Sequence, residues 1–358
     1  PYGGGVPVDK PLTIEGNTSD GPVILTRGNT EAAITVRSSG GGTSISGLLI
    51  RGPGYRSAGI AVRSARDVTV TNTTFDGLDG TALEIADAGD VTVRDIAVAE
   101  TEFGASIENA SGIAVVDARF EEIGEIALGV EETGGVRVRN VTVQESTVGI
   151  LVSTRGADVS NVTIEEATVR ETGEGIRTAV AGGGSLSGLT LSGLDVSEAE
   201  RGIGLTASEG ATLADAVVER STVEEAEEQA VEVATTEGNP AVRNVTLADL
   251  TVEDSEEGIL VAAGAGVVDG VTLRDSSVTA EEVAVALRSE ATLRNATVFR
   301  NRITGSGVGV LLDGNGPGRL GNVAVRQNLV RDSEEAGVLV TEGTDPTGGP
   351  DGRGLRVT

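Results

Sequence analysis

The 358-residue chain carries 55 acidic against 27 basic side chains, a net charge of −28, and has no His, Cys, Met or Trp. Without Cys there are no disulfides, no thiolate nucleophile and no cysteine metal centre, and without His, Met and Cys the favoured copper ligands are missing as well. A field this negative repels nucleic acid and anionic lipid, and no apolar run approaches the roughly 18 residues that cross a bilayer, so neither a nucleic-acid partner nor direct membrane insertion is expected.

Aromatics make up only 2% of the residues while Gly numbers 52. A core without large rings must be built from thin layers of Val, Ile, Leu and Ala, and abundant Gly, Val and Thr predict many short strands and turns. At this length one compact core is exceeded, so an elongated repeat or two domains is expected.

From the N-terminus, VDKPLTIEGNTSDGPVIL at Val8–Leu25 reads as a first coil, and residues 1–42 as an N-terminal coil and cap. A repeat follows over residues 43–340. The first positions of its alternating pairs are Thr43, Val68, Val91, Ile113, Val136, Val162, Leu189, Ala216, Val245, Val271, Ala296 and Val323, spaced 22 to 29 residues apart. Two positions later stands an apolar column, Ile45, Val70, Val93 onward to Val325, and seven positions later another, Ile50, Phe75, Val98, Phe120 onward to Val330. A small residue then opens a last apolar strand, as in Gly59-Ile60, Ala82-Leu83, Gly202-Ile203, Gly258-Ile259 and Gly309-Val310. Three short parallel strands per turn of about 25 residues predict an all-β, single right-handed parallel β-helix (solenoid) of about 13 coils, in which each coil buries its apolar edge only by stacking on the next. Residues 341–358 read as a turn-rich segment, TEGTDPTGGPDGRG, followed by Leu355-Arg356-Val357-Thr358 as the start of an incomplete coil. An unpaired edge there is open to end-to-end self-association, unless the natural chain continues.

On these residues, and most specifically on NVTIEEATVRETGEGIR at Asn161–Arg177, the chain resembles the right-handed parallel β-helix family of pectate lyase-like, carbohydrate-binding and sugar-hydrolase repeat proteins. The resemblance implies the architecture and leaves the activity open, because this scaffold carries lyases, hydrolases, adhesins and spacers. Dense carboxylates with Lys10 as the only lysine resemble proteins of salt-loving archaea.

Carboxylates crowd the turn before the small-residue strand, as in Glu121-Glu122-Glu125, Glu224-Glu225-Glu227-Glu228, Glu256-Glu257 and Glu281-Glu282. Stacked coils should line them up about 4.8 Å apart in an acidic stripe, a solvated edge or a row of weak Ca²⁺ sites, oxygen donors in turns being what Ca²⁺ takes. Further weak Ca²⁺ candidates are Asp313 with Asn315 and Asp345 with Asp351; no other cofactor is expected. Nothing singles out one acid pair for glycoside hydrolysis, which needs a carboxyl of raised pKa beside a second carboxylate. Arg beside acid or amide, in Arg94-Asp95, Arg139-Asn140 and Arg274-Asp275, reads as cross-coil ion pairing. Phe75 and Phe120 fall in the inward column, and Tyr55 in RGPGYRSAG is the candidate ligand contact. Asn17, Asn72, Asn109, Asn140, Asn161, Asn244 and Asn295 begin Asn-x-Ser/Thr triplets, glycan acceptors in a secreted protein. The repeat also spells such triplets on its own, wherever an Asn turn precedes a Val-Thr strand. The functional expectation is a non-enzymatic extracellular or cell-surface module, structural, adhesive or assembling, with a polysaccharide or surface-layer partner. The alternative is a polysaccharide lyase or glycoside hydrolase working from the exposed sheet face.

Overall fold

The computed structural model describes residues 2–3, 5–16, 23–25, 31–52, 58–314, 319–341 and 356–357. The chain divides into two compact units, Pro1–Val152 with Asn161–Gly173, and Ser153–Ser160 with Glu174–Thr358. Each is a parallel β-solenoid in which every strand pairs with the equivalent strand one coil away. Val68 lies opposite Val91 and Val70 opposite Val93 in the first unit, and Val245 opposite Val271 and Leu247 opposite Leu273 in the second. The second apolar column stacks the same way, Ile50 on Phe75 and Phe75 on Val98. The side chains of these columns are buried, Phe75 and Phe120 completely, so their rings fill the wide part of an otherwise aliphatic core.

The bends explain how a coil of about 25 residues closes. Three straight sides, here called I, II and III in chain order, meet at single residues in the left-handed backbone region. The bend between sides I and II falls four positions after the coil start, at Gly47, Asn72, Asp95, Asp117, Asn140 and Glu166 in the first unit and at Gly193, Arg220, Asp249, Asp275, Arg300 and Gln327 in the second. That makes twelve such corners among the described residues, against about thirteen coils expected. The bend between II and III falls nine positions after the start, at Gly77, Glu100, Glu122, Glu145 and Glu171 in the first unit and at Glu198, Glu225, Asp254, Gly305 and Asp332 in the second. Gly, Asn and Asp tolerate this conformation, whereas glutamate rarely adopts it, so the surrounding ladder must impose it.

Short strands form from Val6 to Arg63, as expected, but the expectation of three short strands per coil needs correction from Arg66 to Ala181. There the one-residue corners hardly interrupt the ladder, and whole coils run as strands of 20 to 24 residues: Arg66–Ala86, Gly89–Glu108, Ser111–Glu131, Gly134–Arg155 and Asp158–Ala181. From Ser185 onward the expected short strands appear, such as Thr212–Ala214, Val217–Glu219 and Thr222–Ala226. The residue just past the I–II corner differs between these regions. It is Thr73, Ile96, Ala118, Val141 and Ala167 in the first unit, and Leu194, Ser221, Leu250, Ser276, Asn301 and Asn328 in the second, where polar residues are the more frequent. These polar groups take over backbone hydrogen bonds: Leu194 N–H donates to Ser221 Oγ (3.2 Å), Leu250 N–H to Ser276 Oγ (3.1 Å), and Ser276 N–H to Asn301 Oδ1 (3.0 Å). Asn301 N–H in turn donates to Asn328 Oδ1 (3.0 Å), an asparagine ladder inside the corner. A buried amide is accommodated because its donors and acceptors are all used.

Side III is held close to the next coil. A Cβ on Gly258 would lie 2.5 Å from the Ala284 carbonyl oxygen and 2.6 Å from Val278 Cγ1, and one on Gly104 would lie 2.6 Å from Phe120 Cδ1. This close approach explains the small-residue column. At the N-terminus Val6–Val8 pairs with Ala32–Val36 and Thr13–Glu15 with Ser44–Ser46. At the other end Arg356–Val357 pairs with Ala324–Val325, so the last segment does begin another coil.

Candidate functional site

A cleft of about 460 Å³ opens on side III of the second unit. Its floor is the strand Gln229–Thr235, whose Val231 and Val233 point into the core and whose Glu232 therefore points out. One coil before, Glu232 is matched by Gly204; one coil after, by Leu260. Gly204 contributes no side chain, which leaves a notch, while Leu260, only 8% exposed, packs with Val283, Ala286 and Val308. Glu174, Arg177, Arg201 and Glu228 complete the rim.

The charges here are organised around Arg201. Its Nε donates to Glu228 Oε2 at 2.6 Å and its Nη1 lies 3.6 Å from Glu174 Oε1. Arg177 reaches to 3.2 Å from Glu174 Oε2, but that oxygen, fully buried, has no aligned hydrogen-bond donor. Glu232 lacks any ion pair among the described residues. Burial pushes its carboxyl above the usual range; Arg201 opposes the shift, and Glu174, Glu228 and Glu257 add to it. Glu257 is itself neutralised by a two-pronged Arg288 contact, 3.0 Å on one arm. The arrangement sets a carboxyl whose pKa is raised beside carboxylates that are paired with arginine. This is the division of labour that acid–base chemistry at a glycosidic bond requires.

The residues singled out by sequence lie elsewhere. Tyr55, Asn17, Asn315, Asp345 and Asp351 lie outside the described residues. Asp313 accepts a hydrogen bond from Thr341 Oγ1 at 2.5 Å. No group of three or more acids among the described residues is placed to hold a metal ion. Asn72, Asn109, Asn140, Asn161, Asn244 and Asn295 are exposed and all occupy left-handed corners. Four of their amides donate to a carboxylate of the preceding coil: Asn109 to Asp87 (2.5 Å), Asn140 to Asp117 (2.6 Å), Asn244 to Asp215 (3.0 Å) and Asn295 to Asp269 (2.6 Å). The cross-coil arginine pairs are present, as in Arg94 with Asp117, Arg139 with Glu166 and Arg300 with Asp275. The acidic stripe forms at the II–III corner, where Glu122, Glu145 and Glu171 line a shallow depression in the first unit. A hydrogen bond and repulsion from Glu171 raise the Glu145 carboxyl.

Sequence reasoning missed Glu232, Glu174 and Arg201. The one available signal was Gly202-Ile203-Gly204, where a second glycine falls on an outward strand position that in other coils holds Glu84, Ser106 or Leu260, a signal shared with Gly129.

Residues 32–188 match the family described as the right-handed β-helix region. Similar solved β-helices include the catalytic unit of a thermostable GH87 α-1,3-glucanase from Streptomyces thermodiastaticus (15% identity, TM-score 0.52, covering 95% of this chain and 61% of that one). A tailspike protein mutant of E. coli bacteriophage HK620 in complex with a hexasaccharide is similar at 13% identity and TM-score 0.55, over 90% of this chain and 68% of that one. An exopolygalacturonase from Thermotoga maritima is similar at 11% identity and TM-score 0.53, over 90% and 84% respectively. At these identities the likeness establishes the β-helix fold alone, and the chain spans 61% of the glucanase catalytic unit. No curated protein matches the sequence. No helix among the described residues is long and apolar enough to cross a membrane.

Proposed function

We propose that this β-helix is a carbohydrate-active protein that seats a polysaccharide segment on side III of its second unit and hydrolyses a glycosidic bond there. Glu232 is the proton donor to the leaving oxygen. Glu174, paired with Arg177 and Arg201, serves as the base or nucleophile on the other side of the bond. The observation that carries the reading is Glu232 itself: a half-buried carboxyl with raised pKa in the Gly204 notch, surrounded by three further glutamates. Similar β-helices that carry glucanase and polygalacturonase names support it as a class. The surface charge and the exposed corners fit an extracellular or cell-surface setting in concentrated salt.

The test is release of reducing ends from a panel of neutral and anionic polysaccharides, at low and at molar salt, by wild type and by Glu232→Gln. Loss of a positioned general acid costs roughly 10²–10⁴ in rate, and the activity of the wild type should fall as pH rises through the Glu232 pKa. Polysaccharide binding without turnover in either protein would favour the non-enzymatic adhesive reading. The specific observation on that side is that Arg201 and Arg288 already neutralise Glu228 and Glu257.

A further inference from the structure

The second unit contains a segment whose charge runs against the rest of the chain. Residues 288–331 hold seven arginines and two acids, Glu290 and Asp313, in a protein of net −28. The ion pairs of the region leave several guanidinium groups over. Arg288 is engaged by Glu257 and Arg294 by Asp269, while Arg274 and Arg300 share the single carboxylate of Asp275 at 2.9 and 2.8 Å. Arg302 and Arg331 have no acidic partner among the described residues, and Arg326 has only the ring of Phe299, 5.5 Å away.

The coil register gathers Arg300, Arg302 and Arg326 at the corner between sides I and II, with Arg331 further along side II beside the next corner. Arg326 lies one coil after Phe299 on side I, Arg300 occupies the corner itself, and Arg302 and Arg331 stand on side II, opposite Leu329 and Thr304. Arg300 also stacks on Phe299, 4.9 Å from the ring centre. Arg300, Arg302, Arg326 and Arg331 are exposed, Leu329 is 40% exposed, and the nearest flanking acid along the chain is Asp332 at the next corner. A guanidinium presents a planar fork of donors that matches the two oxygens of a carboxylate or sulfate. Stacking on Phe299 orients two of these forks, of which Arg300 also reaches Asp275 while Arg326 has no acidic partner among the described residues.

We propose that this corner binds oxyanion groups carried at intervals along a sugar chain, an anionic polysaccharide with carboxylate or sulfate substituents. The inference rests on the carbohydrate reading of the cleft on side III and adds the class of chain that the protein holds. A single-stranded nucleic acid would also bring oxyanions, but such strands are held by successive aromatic platforms. The one ring here is already stacked with arginine.

Binding to the full chain is measured by affinity electrophoresis and calorimetry at low and high salt, with polygalacturonate as the carboxylate probe, dextran sulfate as the sulfate probe, dextran as the neutral control and oligo(dT) as the nucleic-acid control. At least one anionic glycan should bind tenfold or more tightly than dextran, and salt should weaken it. Arg302→Gln with Arg326→Gln should remove most of that preference, leaving circular dichroism and Tm unchanged because neither side chain has an acidic partner to lose. Glu232→Gln should leave anionic binding at this corner intact, so that failure of the cleft and failure of the corner are read separately. Anionic glycans that bind no better than dextran, a double variant that binds as wild type does, or oligo(dT) bound more tightly than either glycan, would each overturn the proposal.

Discussion

The two units follow one grammar and use it differently. In the first, corners are single left-handed residues, the residue past the I–II corner is mostly apolar, and from Arg66 onward strands run unbroken through whole coils. In the second, Ser and Asn take over backbone hydrogen bonds at that corner, strands shorten, and the surface acquires both the Glu232 notch and an arginine-rich edge. Regular stacking satisfies every backbone group and leaves a surface with little concavity. Departures from it, such as a missing side chain at Gly204 or a buried amide at Asn301, are what create sites.

The comparison can be broken most forcefully in the core. Phe120→Ala removes a fully buried ring from the first unit and should cost about 3–5 kcal/mol, measured by chemical denaturation. A loss under about 1 kcal/mol would mean that the thin aliphatic layers do not depend on their two rings. Next come the glycines of side III. Gly104→Ala forces a methyl onto Phe120 and should cost about 3 kcal/mol, the upper end of overpacking. A Cβ on Gly204 would meet nothing nearer than the Ile176 carbonyl oxygen at 4.0 Å, so Gly204→Ala should leave Tm within about 2–4 °C of wild type while lowering turnover. Equal destabilisation by the two would remove the distinction between a packing glycine and a site glycine. Smaller again is Asn301→Ala in the second unit, which orphans the Ser276 N–H and should cost about 1–3 kcal/mol.

The smallest effects are electrostatic. Burial raises the Glu131 carboxyl, as it does that of Glu232, and a hydrogen bond with Glu171 raises that of Glu145. A raised folded-state pKa gives stability that is present below the unfolded value and lost as pH rises through the folded one. Mild acidification from neutrality should therefore raise Tm. At Asp269 burial works upward, but hydrogen bonds from Asn295 and Arg294 outweigh it, and Asp275 is lowered by Arg274 and Arg300. Their contribution is lost as pH falls through the lowered values, which turns the curve over in stronger acid. Salt should lift Tm by screening the net −28, and a Tm indifferent to salt would contradict this account of the surface.

Much of the fold was legible because burial enforces a fixed offset. The columns at Val68 and Phe75 recur in every coil, and their register is the one observed. The corners were less legible. Glu122, Glu145 and Glu171 sit in a backbone region that glutamate rarely visits, so an acidic turn was all their sequence suggested. Glu232 was not legible at all. Its environment comes from Gly204 and Leu260 one coil to either side and from Arg201 and Glu174, none adjacent to it in sequence, and its own stretch, Ala230-Val231-Glu232-Val233, reads as an ordinary alternating strand. The arginine edge shows in composition only once position 288 onward is compared with the acidic remainder.

Whether the notch on side III holds a proton is open to direct measurement, by following the side-chain carboxyl carbon signals through a pH titration and assigning Glu232 by its disappearance in Glu232→Gln. The account predicts a midpoint above the ordinary glutamate value of about 4.3, moving further up when Arg201 is replaced by Gln. A midpoint at or below that value, unmoved by the Arg201 change, would contradict it.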